Sequence, residues 1–478
     1  MPNPHSTAQD VHAVDFDKAL IARLAGNGPR YTSYPTADRF SNGFDQTQFL
    51  SETQRRFSAE QVRPLSLYVH IPFCDTVCFY CGCNKVITAN RSHAARYLDY
   101  LEREIALQAP LFTGRARVEQ LHFGGGTPTY FTDQQLTRLM ASLREHFAFT
   151  PATEGEFSIE IDPRKVGSET VAQLAALGFN RMSVGVQDFD PVVQHAVNRI
   201  QSEAETVAVI EEARSCGFKS VSIDLIYGLP RQTLGGFAAT LDKVIAIRPD
   251  RLSVYNYAHM PHLFKTQRQI NAAELPSPDT RLDLLSLAIR RLTNAGYVYI
   301  GMDHFALPDD ELAHAQRKGT LQRNFQGYST RDDIDLLALG VSAISKIGGS
   351  YSQNVRDLGS YYAQLDAGEL PLLRGIALSR DDLLRRSVIQ QLMCHFHLDL
   401  QQLSTEWQID ARSYFAEEWQ ALSMLADDGL LVLDDALLQV LPRGRLLIRN
   451  IAMQFDRHLR ESKVMSQAPP LQRYSQTI

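Results

Sequence analysis

Between residues 65 and 257, short apolar runs alternate with amphipathic stretches six times over. The strand-like runs are 65–71, 119–123, 156–161, 181–186, 220–226 and 251–257, and helical patterns lie between them at 94–108, 133–146, 168–177, 203–216 and 234–247. Gly178 and Gly217 follow two of these helices and read as left-handed caps. Strands and helices in strict succession require a parallel sheet with right-handed crossovers, either open or curled into a partial or full barrel. Polar or glycine-rich signals recur at the strand ends: His70 with the cysteine loop behind it, Gly124-Gly125-Gly126-Thr127, Glu160 with Asp162, Gln187 with Asp188, Asp224, and Asn256 with Ala258. Such ends share one mouth of a barrel, where active sites are built. One cavity served by six successive strands favours the barrel over a flat sheet.

The flanks differ in character. Gly28-Pro29-Arg30-Tyr31-Thr32-Ser33-Tyr34-Pro35 reads as an extended or turn-like arm. Beyond residue 370, stretches 379–397 and 412–427 read as amphipathic helices, 430–442 as a short hairpin and 444–459 as a further helix, an arrangement resembling a winged helix. Three parts are expected: an N-terminal arm over 1–60 that closes on the active site, a barrel and its extension over 61–365, and a mostly helical domain over 366–478. A net charge of −6 over 478 residues speaks against a nucleic-acid binder, which carries a basic surplus. No window reaches the ~18 consecutive apolar residues of a membrane span. The opening MPNPHSTAQDVHAVDFDKAL has no apolar core flanked by basic residues, so a cytoplasmic location is expected.

Four of the six cysteines fall within ten residues, Cys74, Cys78, Cys81 and Cys83, spaced C-x3-C-x2-C-x-C. In a reducing compartment such a group suggests metal rather than disulfides. Thiolates suit both iron–sulfur clusters and zinc. Zinc sites usually close from two separated pairs, whereas a single compact loop wraps more naturally around a cubane, with Cys74, Cys78 and Cys81 as three ligands. Cys83 lies too close behind Cys81 to reach a fourth iron easily, and an open iron binds a substrate or cofactor. Gly125, Gly126 and Thr127 offer backbone N–H groups and close approach to a ligand, or simply a tight turn. Glu160, Gln187 and Asp224 interrupt apolar strand runs, where a carboxylate needs a partner: either a ligand or an internal arginine. Cys216 and Cys394 sit on apolar helix faces and read as core. His259 and His262 flank Pro261, which denies them a helical pair, so no further metal site is read.

The C-x3-C-x2-C loop after a first strand, Tyr80 before the third cysteine and the later glycine loop resemble the radical S-adenosylmethionine superfamily. Longer stretches resemble its oxygen-independent coproporphyrinogen III oxidase family: GPRYTSYPTA (28–37), LYVHIPFC (67–74), CGCNK (81–85), LHFGGGTPTY (121–130), SIEIDPR (158–164), GVQDF (185–189), IDLIYGLP (223–230), IGMDHFA (300–306), NFQGY (324–328) and GRLLIRNI (444–451). The related haem-chaperone branch typically lacks both the cysteine at the place of Cys83 and the GPRYTSYP arm.

The resemblance implies an α/β fold, a partial (β/α)6 barrel with an N-terminal arm and a winged-helix-like C-terminal domain. It implies one [4Fe–4S] cluster on Cys74, Cys78 and Cys81, whose open iron chelates S-adenosylmethionine and whose electron yields a 5′-deoxyadenosyl radical. Tyr68, at the methionine part, and Glu160 are implied at the first cofactor, and the loop of Gly125, Gly126 and Thr127 in cofactor binding. Tyr80, Gly126, Thr127, Gln187, Arg199, Asp224, Ala258 and Ile344 are implied around a second molecule. Cys83, Phe325 and Gln326 are expected near the substrate, and Arg30 and Arg331 as partners for its carboxylates. The implied reaction takes coproporphyrinogen III to protoporphyrinogen IX in a monomer served by a low-potential electron donor and an electron acceptor. A haem chaperone, and an electron carrier or regulator with a cluster, remain the other readings.

Overall fold

The computed structural model describes residues 12–58, 62–331, 334–465, 474 and 476. Residues 1–11, part of the opening read for a targeting signal, lie outside the described residues, as do 59–60 of the expected arm. The chain divides into two compact units, one of Asp38–Leu284 and Asp333–Ser379, the other of Met1–Ala37, Leu285–Asp332 and Arg380–Ile478.

The first unit is a partial barrel. Strands β1 (Arg63–Ile71), β2 (Ala116–Gly125), β3 (Glu156–Ile161), β4 (Arg181–Gln187), β5 (Ser220–Tyr227), β6 (Arg251–Asn256) and β7 (Asp335–Leu339) are parallel, in the order β6-β5-β4-β3-β2-β1-β7. Helices α1 (Ser92–Gln108), α2 (Asp133–His146), α3 (Ser168–Ala176), α4 (Glu203–Ser215) and α5 (Leu234–Ile247) follow the first five strands. All six expected strands are present. The seventh, β7, was not legible: Asp335–Leu339 is buried at every position, and its apolar run of four after Asp335 carries no period. Antiparallel strands β8 (Ile344–Ile347), β9 (Ser350–Asn354) and β10 (Leu372–Ala377) extend the sheet beyond β7.

Period-two alternation divides each central strand. On β3, β4 and β5 the residues Phe157, Ile159, Ile161, Met182, Val184, Val186, Val221, Ile223 and Leu225 are buried, while Ser158, Glu160, Ser183, Gly185, Gln187, Ser222 and Asp224 are half-buried. The apolar set shares the core with the buried faces of the helices, among them Leu174, Ile210 and Leu241. Each such side chain contributes about 1.5–3 kcal/mol by burial, so the register that turns the polar set inward is strongly specified. Capping boxes at Thr132–Gln135 and Ser202–Glu205 start α2 and α4, and Gly178 (φ +97°) and Gly217 (φ +82°) are left-handed just past α3 and α4.

The second unit is largely helical towards the C-terminus, with Arg380–His395, Leu400–Trp407, Ala411–Tyr414 and Ala416–Asp427, and a small antiparallel sheet of His397–Asp399, Leu437–Val440 and Leu431–Leu433. The expected hairpin is there. The stretch expected as one helix over 444–459 is instead broken into Ile448–Ala452 and Arg457–Met465. Asp456 breaks it: its carboxylate accepts from Leu459 N (2.8 Å) and from Tyr31 Oη (3.0 Å), so it caps a new helix rather than continuing the old one. Likewise 412–427 divides at Phe415. Among the described residues no helix is long and apolar enough to cross a membrane.

Candidate active site

The cysteine loop leaves β1 and is clamped from several directions. Its entry, Phe73–Cys74, pairs in parallel with its exit, Val86–Ile87. Between them Phe79 N donates to Val197 O (3.0 Å), Asn198 Nδ2 to Val77 O (2.7 Å), Gln267 Nε2 to Tyr80 O (2.9 Å), and Thr266 Oγ1 and Lys85 Nζ to Cys81 O (3.1 and 2.9 Å). Cys74, Cys78, Cys81 and Cys83 therefore line one cleft of about 270 Å³, together with Tyr80, Gly125, Gly126, Thr127, Glu160, Gln187, Arg199 and Asp224.

All four thiols are free. Thr127 Oγ1 donates to Cys74 Sγ (3.6 Å), and Arg199 Nη1 and Arg164 Nη2 approach Cys78 Sγ at 3.7 and 3.9 Å. Burial pushes the Cys74 thiol up to about 11. Cys83 hydrogen-bonds to Cys81, which lowers the Cys81 thiol and raises that of Cys83. Among the described residues no three His, Cys, Asp or Glu side chains converge on a point where a single ion would sit. Cys74, Cys78 and Cys81 facing one cleft, with Arg199 and Arg164 beside Cys78, fit the three thiolate ligands of an iron–sulfur cluster.

The glycine loop is dictated by its own neighbours. Gly125 has φ +115°, and a Cβ there would meet the His70 ring at 2.7 Å; at Gly126 it would meet Phe73 O and the Pro72 carbonyl carbon at 2.7 Å. The close approach read from sequence is thus first an approach to the cysteine loop, held by Gly126 N to Ile71 O and Thr127 N to Phe73 O, both 2.9 Å. His70 Nε2 donates to Asn84 O (3.0 Å), so Nδ1 is the acceptor for Tyr68 Oη (3.0 Å); burial keeps this imidazole neutral, with its pKa lowered.

Glu160 Oε1 lies 3.1 Å from His122 Nε2, and Oε2 accepts from Gly125 N (3.2 Å). Burial alone would raise this carboxyl, but His122 and Gly125 overcome it and hold it below the usual range. Asp224 accepts from Ser183 Oγ (3.0 Å) and is pushed up to about 6 by burial, with the Glu160 charge adding to it. Gln187 has φ +69° at a register shift between β4 and β5, the bulged geometry that re-aims side chains near functional sites. Asp188 anchors the turn behind it through Thr240 Oγ1 (2.5 Å) and Gln232 Nε2 (2.7 Å). Arg199 Nη2 donates to Gly185 O (2.6 Å), and Nη1 faces Asp162 (3.5 Å).

Tyr68, Ala258 and Ile344 do not line the 270 Å³ cleft itself: Tyr68 Oη donates to His70 Nδ1 (3.0 Å), Ala258 O accepts from Gln267 Nε2 (3.1 Å), and Ile344 opens β8. Phe325 and Gln326 belong to the second unit, at the turn joining Gln322–Asn324 to Gly327–Ser329. Arg30 is paired with Asp303 in that unit, and Arg331 N donates to Ser329 Oγ (3.3 Å). Lys85, Arg164, His122 and Ser183 were not singled out from sequence. Arg164 follows Asp162 in the run after β3, and its Nη2 donates to that carboxylate at 2.5 Å; His122 lies opposite Ser158 across the β2–β3 ladder.

Residues 68–244 match the Radical SAM superfamily and residues 378–447 the HemN C-terminal domain. The oxygen-independent coproporphyrinogen III oxidase of Escherichia coli K12 is 53% identical over 457 residues, covering 96% of this chain and 98% of the relative. That of Pseudomonas aeruginosa is 53% identical over 449 residues, covering 93% and 96%. The solved structure of coproporphyrinogen III oxidase from Escherichia coli, described as a radical SAM enzyme, is similar at a TM-score of 0.89 and 52% identity, covering 93% of this chain and 100% of that one. With a thiol-lined cleft at the mouth of a partial barrel and full-length likeness on both sides, this chain belongs to the oxygen-independent coproporphyrinogen III oxidase family of radical S-adenosylmethionine enzymes.

Proposed function

We propose that this chain converts two propionate side chains of coproporphyrinogen III to vinyl groups without oxygen, giving protoporphyrinogen IX. The observation that carries the reading is the convergence of Cys74, Cys78 and Cys81 with the strand-end polar residues on one cleft, in a chain whose full-length relatives are named for that oxidase. Cys74, Cys78 and Cys81 would hold a [4Fe–4S] cluster with one iron open to S-adenosylmethionine. When bound, these groups supply a carbon radical that takes a hydrogen atom from the propionate β-carbon; the carboxyl group then leaves as carbon dioxide and an external acceptor receives the remaining electron.

The residues bind, orient and shield. Glu160, kept ionised by His122 and Gly125 N–H, receives the ammonium of the cofactor's methionine part, with Tyr68 bracing His70 behind the loop. Tyr80, Gly126, Thr127, Gln187, Arg199 and Asp224, with Ala258 and Ile344, serve a second S-adenosylmethionine, which suits a reaction performed on two propionates. Cys83 stands beside Cys81 without ligating, and Cys83, Phe325 and Gln326 serve the substrate. The enzyme works as a monomer in the cytoplasm, fed by a low-potential donor.

The test is anaerobic turnover by cluster-reconstituted protein with S-adenosylmethionine, a low-potential reductant, an electron acceptor and coproporphyrinogen III, read by porphyrin mass. Loss of two carboxyl groups as carbon dioxide, abolished in Cys74→Ala, is expected. Unchanged substrate over an intact cluster would overturn the reading.

A further inference from the structure

In the second unit Arg30, Arg323 and Arg449 lie close together beside Asp303. Arg323, on the strand Gln322–Asn324, is 4% exposed. Its Nε donates to Arg30 O (3.3 Å) and its guanidinium lies 4.9 Å from the centre of the Tyr328 ring. Its Nη1 is buried and has no hydrogen-bond partner among the described residues. Arg449, 2% exposed, directs its donors to the carbonyls of Pro29 (2.9 Å), Gln476 (2.7 Å) and Gly28. Arg30 pairs with Asp303. The charges of Arg30 and Arg323 both bear on Arg449 and on Asp303, and burial with that repulsion pushes Arg449 down to about 9.

Burying cations in excess of anions is costly unless something compensates. An unpaired guanidinium N–H beside a second guanidinium is suited to a planar carboxylate, which accepts two parallel hydrogen bonds. The neighbourhood reaches the surface through Arg30, whose side chain is 33% exposed, and Asp303 is 13% exposed beside it. The same hairpin carries Phe325 and Gln326 at its turn.

We propose that Arg323 and Arg30 form a carboxylate-binding subsite that takes one propionate of the tetracarboxylate substrate, with Asp303 holding Arg30 in place and competing with that propionate. The identity of the ligand rests on the function proposed above. The subsite itself rests on the arginine geometry.

The experiment uses the full-length, cluster-reconstituted protein and two unreactive probes, coproporphyrin III and its tetramethyl ester, titrated by porphyrin fluorescence. Wild type should prefer the acid. Arg323→Met should weaken the acid by about tenfold to hundredfold, the range of a hydrogen bond to a charged group, and leave the ester unchanged. Asp303→Asn should tighten the acid, a gain that a merely structural disturbance would not give. Circular dichroism and cluster absorbance check folding, and if Arg323→Met does not fold, Asp303→Asn decides alone: tighter binding of the acid supports the subsite, and unchanged or weaker binding overturns it. If both variants bind both probes as wild type does while wild type turns over coproporphyrinogen III, the subsite is wrong and the function stands. If the acid preference depends on Arg323 but wild type gives no turnover, the subsite stands and the function is wrong.

Discussion

Glu160→Gln separates recognition from architecture. The carboxylate accepts from His122 Nε2 (3.1 Å) and Gly125 N (3.2 Å). A glutamine can keep the Gly125 bond with its carbonyl and present its NH2 to His122 Nε2. His122 can follow, because its Nδ1 lies 2.5 Å from Ser158 Oγ, and Ser158 Oγ can donate to Leu121 O at 3.3 Å: the imidazole moves its proton to Nδ1, donates to Ser158, and accepts from the new amide at Nε2. The melting midpoint should therefore move by no more than a few degrees. The negative charge is lost, and with it a charged hydrogen bond of about 1.5–3 kcal/mol to the cofactor's ammonium. Equilibrium binding of S-adenosylmethionine to the reconstituted protein should weaken by about tenfold to hundredfold. Because the folded carboxyl is held below its usual range, its contribution is present at neutral pH and lost only as pH falls through that lowered value; the wild-type share of affinity from this group should be flat between pH 6 and 8. Binding of the variant within twofold of wild type would refute the role assigned to Glu160. A large loss of stability would make Glu160 a brace rather than a recognition group.

Further outcomes test neighbouring parts of the site. Cys74→Ala should lose the cluster's visible absorption together with all turnover, and a normal cluster with normal cofactor cleavage would remove Cys74 from the ligand set. Asp224→Asn should lower the number of S-adenosylmethionine molecules bound per chain, and should also stabilise the cofactor-free protein at pH 7.5. The folded carboxyl is raised from 3.8 to about 6, so the folded state keeps its proton through that window and stability falls as pH rises across it; the relief is up to about 3 kcal/mol and disappears towards pH 4 in chemical denaturation. No pH dependence in the difference would refute the burial argument. Gly126→Ala places a Cβ at 2.7 Å from backbone atoms of Pro72 and Phe73, which cannot rotate away, so iron bound per chain should drop while far-UV circular dichroism holds; full cluster incorporation would contradict the packing described.

What the sequence disclosed follows from short-range rules. Period-two alternation on β3, β4 and β5 exposes which residues turn inward, so Glu160, Gln187 and Asp224 could be found as polar interruptions of apolar strands. Helix ends were legible wherever a cap is local, as at Gly178 and Gly217. The failures share the opposite property. β7 is buried on both faces and pairs with β1 across more than 260 residues of chain. The break within 444–459 depends on Asp456 being fixed by Tyr31, a partner 425 positions away.

The same distinction explains the site. A residue whose role is set by its own strand can be read from the strand, but a residue that sets another's role is silent until the two segments meet. His122 sits in a run noted for its glycines, and nothing there announces that its ring fixes the proton balance of Glu160, 38 residues on. Gln187 looks like any strand-end glutamine, yet a left-handed φ of +69° and a register shift aim it, and the buried Asp188 holds the turn that follows. Left-handed backbone at a non-glycine residue costs of order 1–3 kcal/mol and persists only where its surroundings over-determine it. Thr240 and Gln232 hold Asp188, the residue that follows Gln187. The direction of the Gln187 side chain is therefore set by contacts made after it in the chain and not by its own strand, which is why its sequence context could not show it.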